Sequence, residues 1–158
     1  MTTNSFQIVG FDLDGTLVDS SGDLTAAVND TLDFAGRPLL TVAQVKTMVG
    51  GGAKHMLAQG LEATGGCTPE EFRPLYKRML AYYAAHLSVH TRPFPGVIAA
   101  LDQLDARGIK SAVVTNKFES LALTLLADLG LTERFACIIG GDTMGPAFRS
   151  PTARRSTR

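Results

Sequence analysis

Cysteine is scarce in this chain: of 158 residues only Cys67 and Cys137 carry thiols, and they do not form a CxxC pair. That argues against a disulfide framework or a cysteine-built metal site, and two isolated thiols are expected in the apolar core with no role of their own. Long apolar runs are missing as well, since none approaches the roughly 20 residues that span a bilayer. The opening "MTTNSFQIVG" lacks the basic and apolar blocks of a secretory leader. No membrane partner is expected, and the cytoplasm is the expected compartment. A net charge is also lacking, but the balance is uneven. Asp142 is the last acid, while Arg149, Arg154, Arg155 and Arg158 follow it, so residues 1–142 carry −4. An acidic body is unlike a general nucleic-acid binder, and the tail arginines have no interleaved aromatic rings for base stacking. No nucleic-acid partner is expected, and the Pro/Ser/Thr/Arg-rich stretch 143–158 is expected to be disordered.

What the sequence does have is a 45% share of hydrophobic residues, enough to bury a core. Ile8, Val9 and Phe11 form a short run with little polar alternation, as in a parallel strand covered on both faces. From Ser21 the period turns helical through Leu24, Val28 and Leu32, and Gly36 and Pro38 stop it. Thr41 is placed to cap a short helix through Val42, Val45 and Met48, and Gly50, Gly51 and Gly52 break it. A further helix runs around Met56–Leu61. "TPEE" then has the capping-box pattern, with Thr68 as cap, Pro69 at the first helical position and Glu71 three residues on. Pro74 is expected to restart or kink that helix. After a Pro93/Pro95 linker come a helix with Val97, Leu101 and Leu104, the strand "KSAVVTN" from Lys110, a helix with Leu121, Leu125 and Leu129, and the strand "ACIIGGD". The fold class is α/β, with an all-helical insertion after the first strand.

"FDLDGTLVDS" carries the chemistry. In an extended strand Asp12 and Asp14 point to one side while Leu13 packs on the other. At the carboxyl end of a parallel strand that side opens on the usual ligand crevice. Two neighbouring carboxylates repel unless a cation compensates, and a hard divalent ion such as Mg²⁺ suits oxygen donors and also screens a phosphate. One carboxylate would then attack phosphorus while the other moves the proton. Gly15 lets the chain turn tightly, and Thr115 and Asn116 at the second strand's end offer a hydroxyl and an amide to phosphate oxygens. Asp14-Gly15 is also a hairpin signal, though helical spacing follows it closely. A calcium loop fits worse, because its glycine stands sixth.

"FDLDGTLVDS" with "VVTNK" resembles the haloacid dehalogenase superfamily, and its phosphoglycolate phosphatase branch in particular, over residues 6–142. The resemblance implies a Rossmann-like core with a parallel sheet, made of residues 1–17 and 88–142, and an α-helical cap at 18–87. It implies Asp12 as nucleophile and Mg²⁺ ligand, and Asp14 as acid/base with its backbone carbonyl on the metal. Gly15, Thr16, Thr115, Asn116 and Lys117 would then line the phosphate. "GRPLL" and "VGGGAKHML" are similar to that branch too, which makes Gly50, Gly51 and Gly52 specificity candidates, with a flexible break between helices as the plainer reading. Lys54 and His55 are read as solvated surface, and His86 and His90 lack a third ligand.

The sequence also departs from the family. A lysine in a "KP" context after the "GGD" of Gly140–Asp142, and a later "GD" with further acids, are both missing. The sheet is therefore expected to be incomplete, and the tail to reflect a truncated or out-of-frame gene. Residues 6–11 become an open edge prone to self-association. The expected function is Mg²⁺-dependent hydrolysis of a small phosphorylated metabolite such as 2-phosphoglycolate through an aspartyl-phosphate, with activity impaired by the missing motifs. The alternatives are a non-catalytic remnant and a phosphomutase of the same superfamily.

Overall fold

The computed structural model describes residues 7–143. In chain order the elements are β1 (Ile8–Phe11), β2 (Val18–Asp19), α1 (Ser21–Phe34), α2 (Val42–Lys46), α3 (Ala53–Ala63), α4 (Pro69–Ala85), β3 (Arg92–Pro93), α5 (Val97–Ala106), β4 (Lys110–Val114), α6 (Glu119–Asp128) and β5 (Cys137–Ile139). They form two compact units. One takes residues 7–19 and 92–143 of the described chain, the other Ser20–Thr91. No helix is long and apolar enough to cross a membrane among the described residues.

In the first unit β4 lies between β1 and β5, and both pairings are parallel, with Phe11 opposite Val113 and Val114 opposite Ile139. Strand β4 buries Ser111, Ala112 and Val113. Leu101 of α5 and Ala122, Leu125 and Leu126 of α6 complete the apolar set. Strand β1, expected to be covered on both faces, is instead half-exposed, with Ile8 at 50%. Among the described residues only β4 pairs with it, and no strand lies on its other side. At its end the carbonyl of Leu13 accepts the amides of Thr16, Leu17 and Val18, and Gly15 turns the chain at φ 79°. A side chain at that φ would be strained, which is why glycine follows Asp14. The turn does not make a hairpin on β1. Instead β2 pairs antiparallel with β3, whose Pro93 belongs to the stretch the sequence reading treated as linker.

The helical unit is built on α1, whose buried Leu24, Ala27, Val28, Thr31 and Leu32 face α2, α3 and α4. Leu75, Met79 and Tyr83 supply α4's side of that core, and Val45, Met56, Leu57 and Leu61 the rest. Thr68 and Glu71 form both bonds of the expected capping box, as do Thr41 and Gln44 for α2. Polar side chains hold the connections. Asn29 exchanges two 2.9 Å bonds with the Leu40 backbone, and Arg37 of the "GRP" stretch donates to the carbonyls of Leu61 and Gly66 at the end of α3. Asp23, 1% exposed in the first turn of α1, accepts the amides of His90 and Thr91 and the Thr91 hydroxyl at 2.7–3.1 Å. That one carboxylate ties together the two ends of the unit.

Several expectations need correction. The units divide at 19/20 and 91/92 instead of 17/18 and 87/88, because the β2–β3 ladder draws Val18, Asp19, Arg92 and Pro93 into the sheet unit. Pro74 does not restart the helix, because α4 runs from Pro69 to Ala85 through it. The buried face of α6 is Ala122, Leu125 and Leu126, turned one residue from the Leu121/Leu125/Leu129 stripe. Neither thiol is in the core: Cys137 is exposed on β5 and Cys67 half-exposed. The stretch 143–158, expected to be disordered, lies outside the described residues except for Thr143. That residue is held in a turn by its amide bond to the Gly140 carbonyl at 3.2 Å.

Candidate active site

Two loops of the sheet unit carry the site, one leaving β1 and one leaving β4. Because β1 and β4 are parallel and in register, with Phe11 opposite Val113, their carboxyl ends lie side by side. Asp12 and Asp14 leave the first and Thr115, Asn116 and Lys117 the second. This is the position where open parallel sheets present ligand crevices.

Asp12 is exposed as a residue, yet its carboxyl sits low enough to lose hydration. Burial pushes it above its ordinary value of 3.8, and the neighbouring Asp14 adds to the rise. The Leu13 amide, which donates to Oδ1 at 2.7 Å, the Thr115 hydroxyl and the charge of Lys117 act in the opposite sense. Thr115 is buried, and its own backbone is fixed by an amide bond to the Ile139 carbonyl at 2.9 Å. Its Oγ1 also accepts the Lys117 amide at 3.2 Å, which folds the loop back on the strand end.

Lys117 is the least expected member. Its ammonium, on a side chain only 4% exposed, lies 3.0 and 3.2 Å from the two Asp14 oxygens, themselves on a side chain 13% exposed. The sequence reading placed Lys117 at the phosphate; here it meets the second carboxylate. The adjacent Asn116 is half-buried. Thr16 stands exposed in the turn after Gly15. Asp12, Asp14, Thr115 and Lys117 are thus brought together.

Gly50, Gly51 and Gly52 belong to the helical unit, where Gly50 and Gly52 have φ 112° and 91° and Gly52 precedes the first turn of α3. Gly51 lies under the ring of His55. His86 bonds the Tyr82 carbonyl at 2.8 Å and stacks on its ring, and the His90 amide is one of the donors to Asp23. Among the described residues no group of three His, Cys, Asp or Glu side chains is placed to hold a metal ion.

The sequence reading missed the partner of the Lys117 loop. The turn Gly140–Thr143 packs against Asn116–Glu119, and the only signal for it was a pair of adjacent glycines after a strand, a mark of close backbone approach.

The family model for haloacid dehalogenase-like hydrolases matches residues 9–147. The chain belongs to that family. As a haloacid dehalogenase-like chain it is 45% identical over 145 residues to a phosphoglycolate phosphatase of Agrobacterium fabrum, covering 91% of this chain and 61% of the relative. A phosphoglycolate phosphatase of Caulobacter vibrioides is 39% identical over 142 residues, with 89% and 60% covered. Among solved structures, a predicted phosphoglycolate phosphatase from Haemophilus somnus superposes with a TM-score of 0.81 at 31% identity, over 87% of this chain and 64% of that one. This haloacid dehalogenase-like chain therefore spans about three fifths of the length of the curated relatives it matches.

Proposed function

We propose that the protein is a phosphatase of small phosphate monoesters, 2-phosphoglycolate among them, working through an aspartyl-phosphate on Asp12. The observation that carries this is the meeting of Asp12 with the Thr115 hydroxyl and with the Asp14–Lys117 pair at the ends of two parallel strands. The relatives named phosphoglycolate phosphatase support the substrate class.

A carboxylate that is partly desolvated, yet open to solvent on one side, is a usable nucleophile. Asp12 Oδ attacks phosphorus, the ester oxygen leaves with a proton from Asp14, and a Asp12–phosphoryl bond forms. Water then attacks the same phosphorus and gives its proton to Asp14, and inorganic phosphate departs as Asp12 is regenerated. Thr115 and Asn116 donate to the phosphoryl oxygens, Gly15 and Thr16 bring backbone close, and Lys117 supplies positive charge beside Asp14.

Mg²⁺ fits the donors present. They are oxygens only, and Asp12 is the acid whose burial a cation would relieve. Mg²⁺ commonly takes one or two protein oxygens and fills its shell with water and phosphate. The Asp12 carboxylate and the main-chain carbonyl of Asp14 would hold it, the Asp14 carboxylate being engaged by Lys117. When bound, the ion offsets phosphate charge and orients the ester.

A second reading is a protein that binds phosphate without turning it over. The Asp14–Lys117 pair favours it, because the carboxylate that would have to reach the ester oxygen is engaged at 3.0 Å by an ammonium. The experiment is phosphate release from p-nitrophenyl phosphate and 2-phosphoglycolate with and without Mg²⁺, in the wild type and in Asp12→Asn. Release that needs Mg²⁺ and vanishes in the variant supports the phosphatase. Turnover that survives Asp12→Asn removes the mechanism, and phosphate binding without turnover selects the second reading.

A further inference from the structure

The turn that follows β5 does more than end a strand. A Cβ on Gly140 would lie 2.6 Å from the Glu119 Cα, and one on Gly141 would run into the Asn116 carbonyl oxygen, so two backbones meet where only glycine fits. Three bonds join them, and a fourth closes the turn on itself. The Gly141 amide donates to the Lys117 carbonyl at 2.8 Å, and Asp142 Oδ1 accepts the Glu119 amide at 2.8 Å. Thr143 Oγ1 accepts the Gly140 amide at 2.7 Å and donates to Glu119 Oε2 at 2.9 Å.

The bond to Asp142 is notable for what it replaces. Helix α6 begins at Glu119, and its own preceding residue, Phe118, offers no side-chain cap. A helix's first amides need an acceptor, and a carboxylate there is favoured by the helix dipole as well. Asp142 supplies it from 23 residues further along the chain. The loop from Asn116 to Glu119, which projects the Lys117 ammonium onto Asp14, is thereby gripped at Lys117 and at Glu119 from one side.

We propose that Gly140–Thr143 is a latch that positions the Thr115–Lys117 loop, and that Asp142 is its principal positioning residue. It touches neither the reacting carboxylates nor, in the proposed reaction, the substrate. It acts through the Glu119 amide on the loop. The inference rests on the phosphatase reading only in taking phosphate as the ligand of that loop.

The test uses the full chain, ¹⁵N-labelled, as Asp142→Ala and Asp142→Asn. Losing a hydrogen bond to a charged acceptor should speed exchange of the Glu119 amide roughly 10- to 100-fold in Asp142→Ala. The amide resonances of Thr115–Lys117 should shift, while α4 amides keep their protection. Asp142→Asn retains an accepting Oδ1 and should restore most of the protection. Gly141→Ala should displace the Asn116–Lys117 resonances by pushing on the Asn116 carbonyl. Titration with inorganic phosphate should then show weaker binding in Asp142→Ala and near-wild-type binding in Asp142→Asn. Unchanged exchange at Glu119 in Asp142→Ala, equal acceleration throughout the chain, or an Asn variant as damaged as the Ala variant overturns the latch. Failure of phosphate to bind even the wild type overturns the phosphatase reading, while the exchange data still decide the latch.

Discussion

Replacing Lys117 with methionine keeps the buried stem and removes the charge. The ammonium lies 3.0 Å from an Asp14 oxygen, with the two side chains 4% and 13% exposed. At an effective dielectric near 20 the attraction at that distance is roughly 5 kcal/mol, before the cost of desolvating both groups is subtracted. Removing one partner of such a pair leaves a poorly hydrated charge and typically costs about 3 kcal/mol or more. Here the loss is compounded because Lys117 also acts on Asp12, so Lys117→Met withdraws one positive charge from two neighbouring carboxylates. A proton on Asp12, whose carboxyl burial and the Asp14 charge already raise, relieves the repulsion. The folded variant therefore holds that proton more tightly than the unfolded chain does. A raised folded value contributes stability that is fully present below the unfolded value, near 4 for aspartate, and lost as pH rises through the folded one. The deficit of Lys117→Met should thus be largest at pH 7 and shrink towards pH 4.5. Urea denaturation followed by far-ultraviolet circular dichroism at the two pH values measures it. Adding Asp14→Asn should recover most of the loss, since the double variant no longer holds the carboxylate that has lost its ammonium. A deficit below about 0.5 kcal/mol, the size of an exposed pair, would refute the reasoning. So would equal deficits at both pH values, or a double variant no better than the single.

Two further outcomes test the same site and its supporting strand. Burial raises the Asp12 carboxyl, so ionising it opposes folding above pH 3.8, and Asp12→Asn should raise the melting temperature at pH 7, by an amount that dwindles towards pH 4. A lower melting temperature at pH 7 would show that the carboxylate is supported more strongly than its surroundings indicate. On β4 the Ser111 hydroxyl is buried without a hydrogen-bond partner among the described residues. Ser111→Ala should stabilise the protein by about 1 kcal/mol, read from urea midpoints, and a loss of that size would mean the hydroxyl is satisfied.

The helices were the legible part of this chain. Thr68-Pro69-Glu-Glu71 announces a capping box and Thr41 a cap in local sequence; the box forms, and Thr41 caps α2 in a second box completed by Gln44. The strands β1, β4 and β5 were legible too, as was the placing of Asp12, Asp14 and Thr115 at strand ends, because period and turn chemistry are local. What escaped was set by distant partners. The β2–β3 ladder joins Val18 to Pro93, and nothing near either residue marks it as a strand. For Lys117 the motif gives the strand end but not the direction of a long side chain, so its ion pair was not legible there. Its pairing with Asp14 spans 103 residues. The grip of Asp142 on Glu119 escaped for the same reason, and α6 buries Ala122 and Leu126 beside Leu125 in place of Leu121 and Leu129.

Asp23 bears on how an inserted helical unit can be tolerated at all. With the residues at both ends of Ser20–Thr91 gathered on one carboxylate, the long excursion closes on itself, and the flanking segments see a short connection between Asp19 and Arg92. Loop-closure entropy depends on the separation a connection must hold, so the host sheet is largely indifferent to how much chain lies beyond the clasp. Insertions and deletions within the helices can then accumulate without altering the register of the ladder next to them.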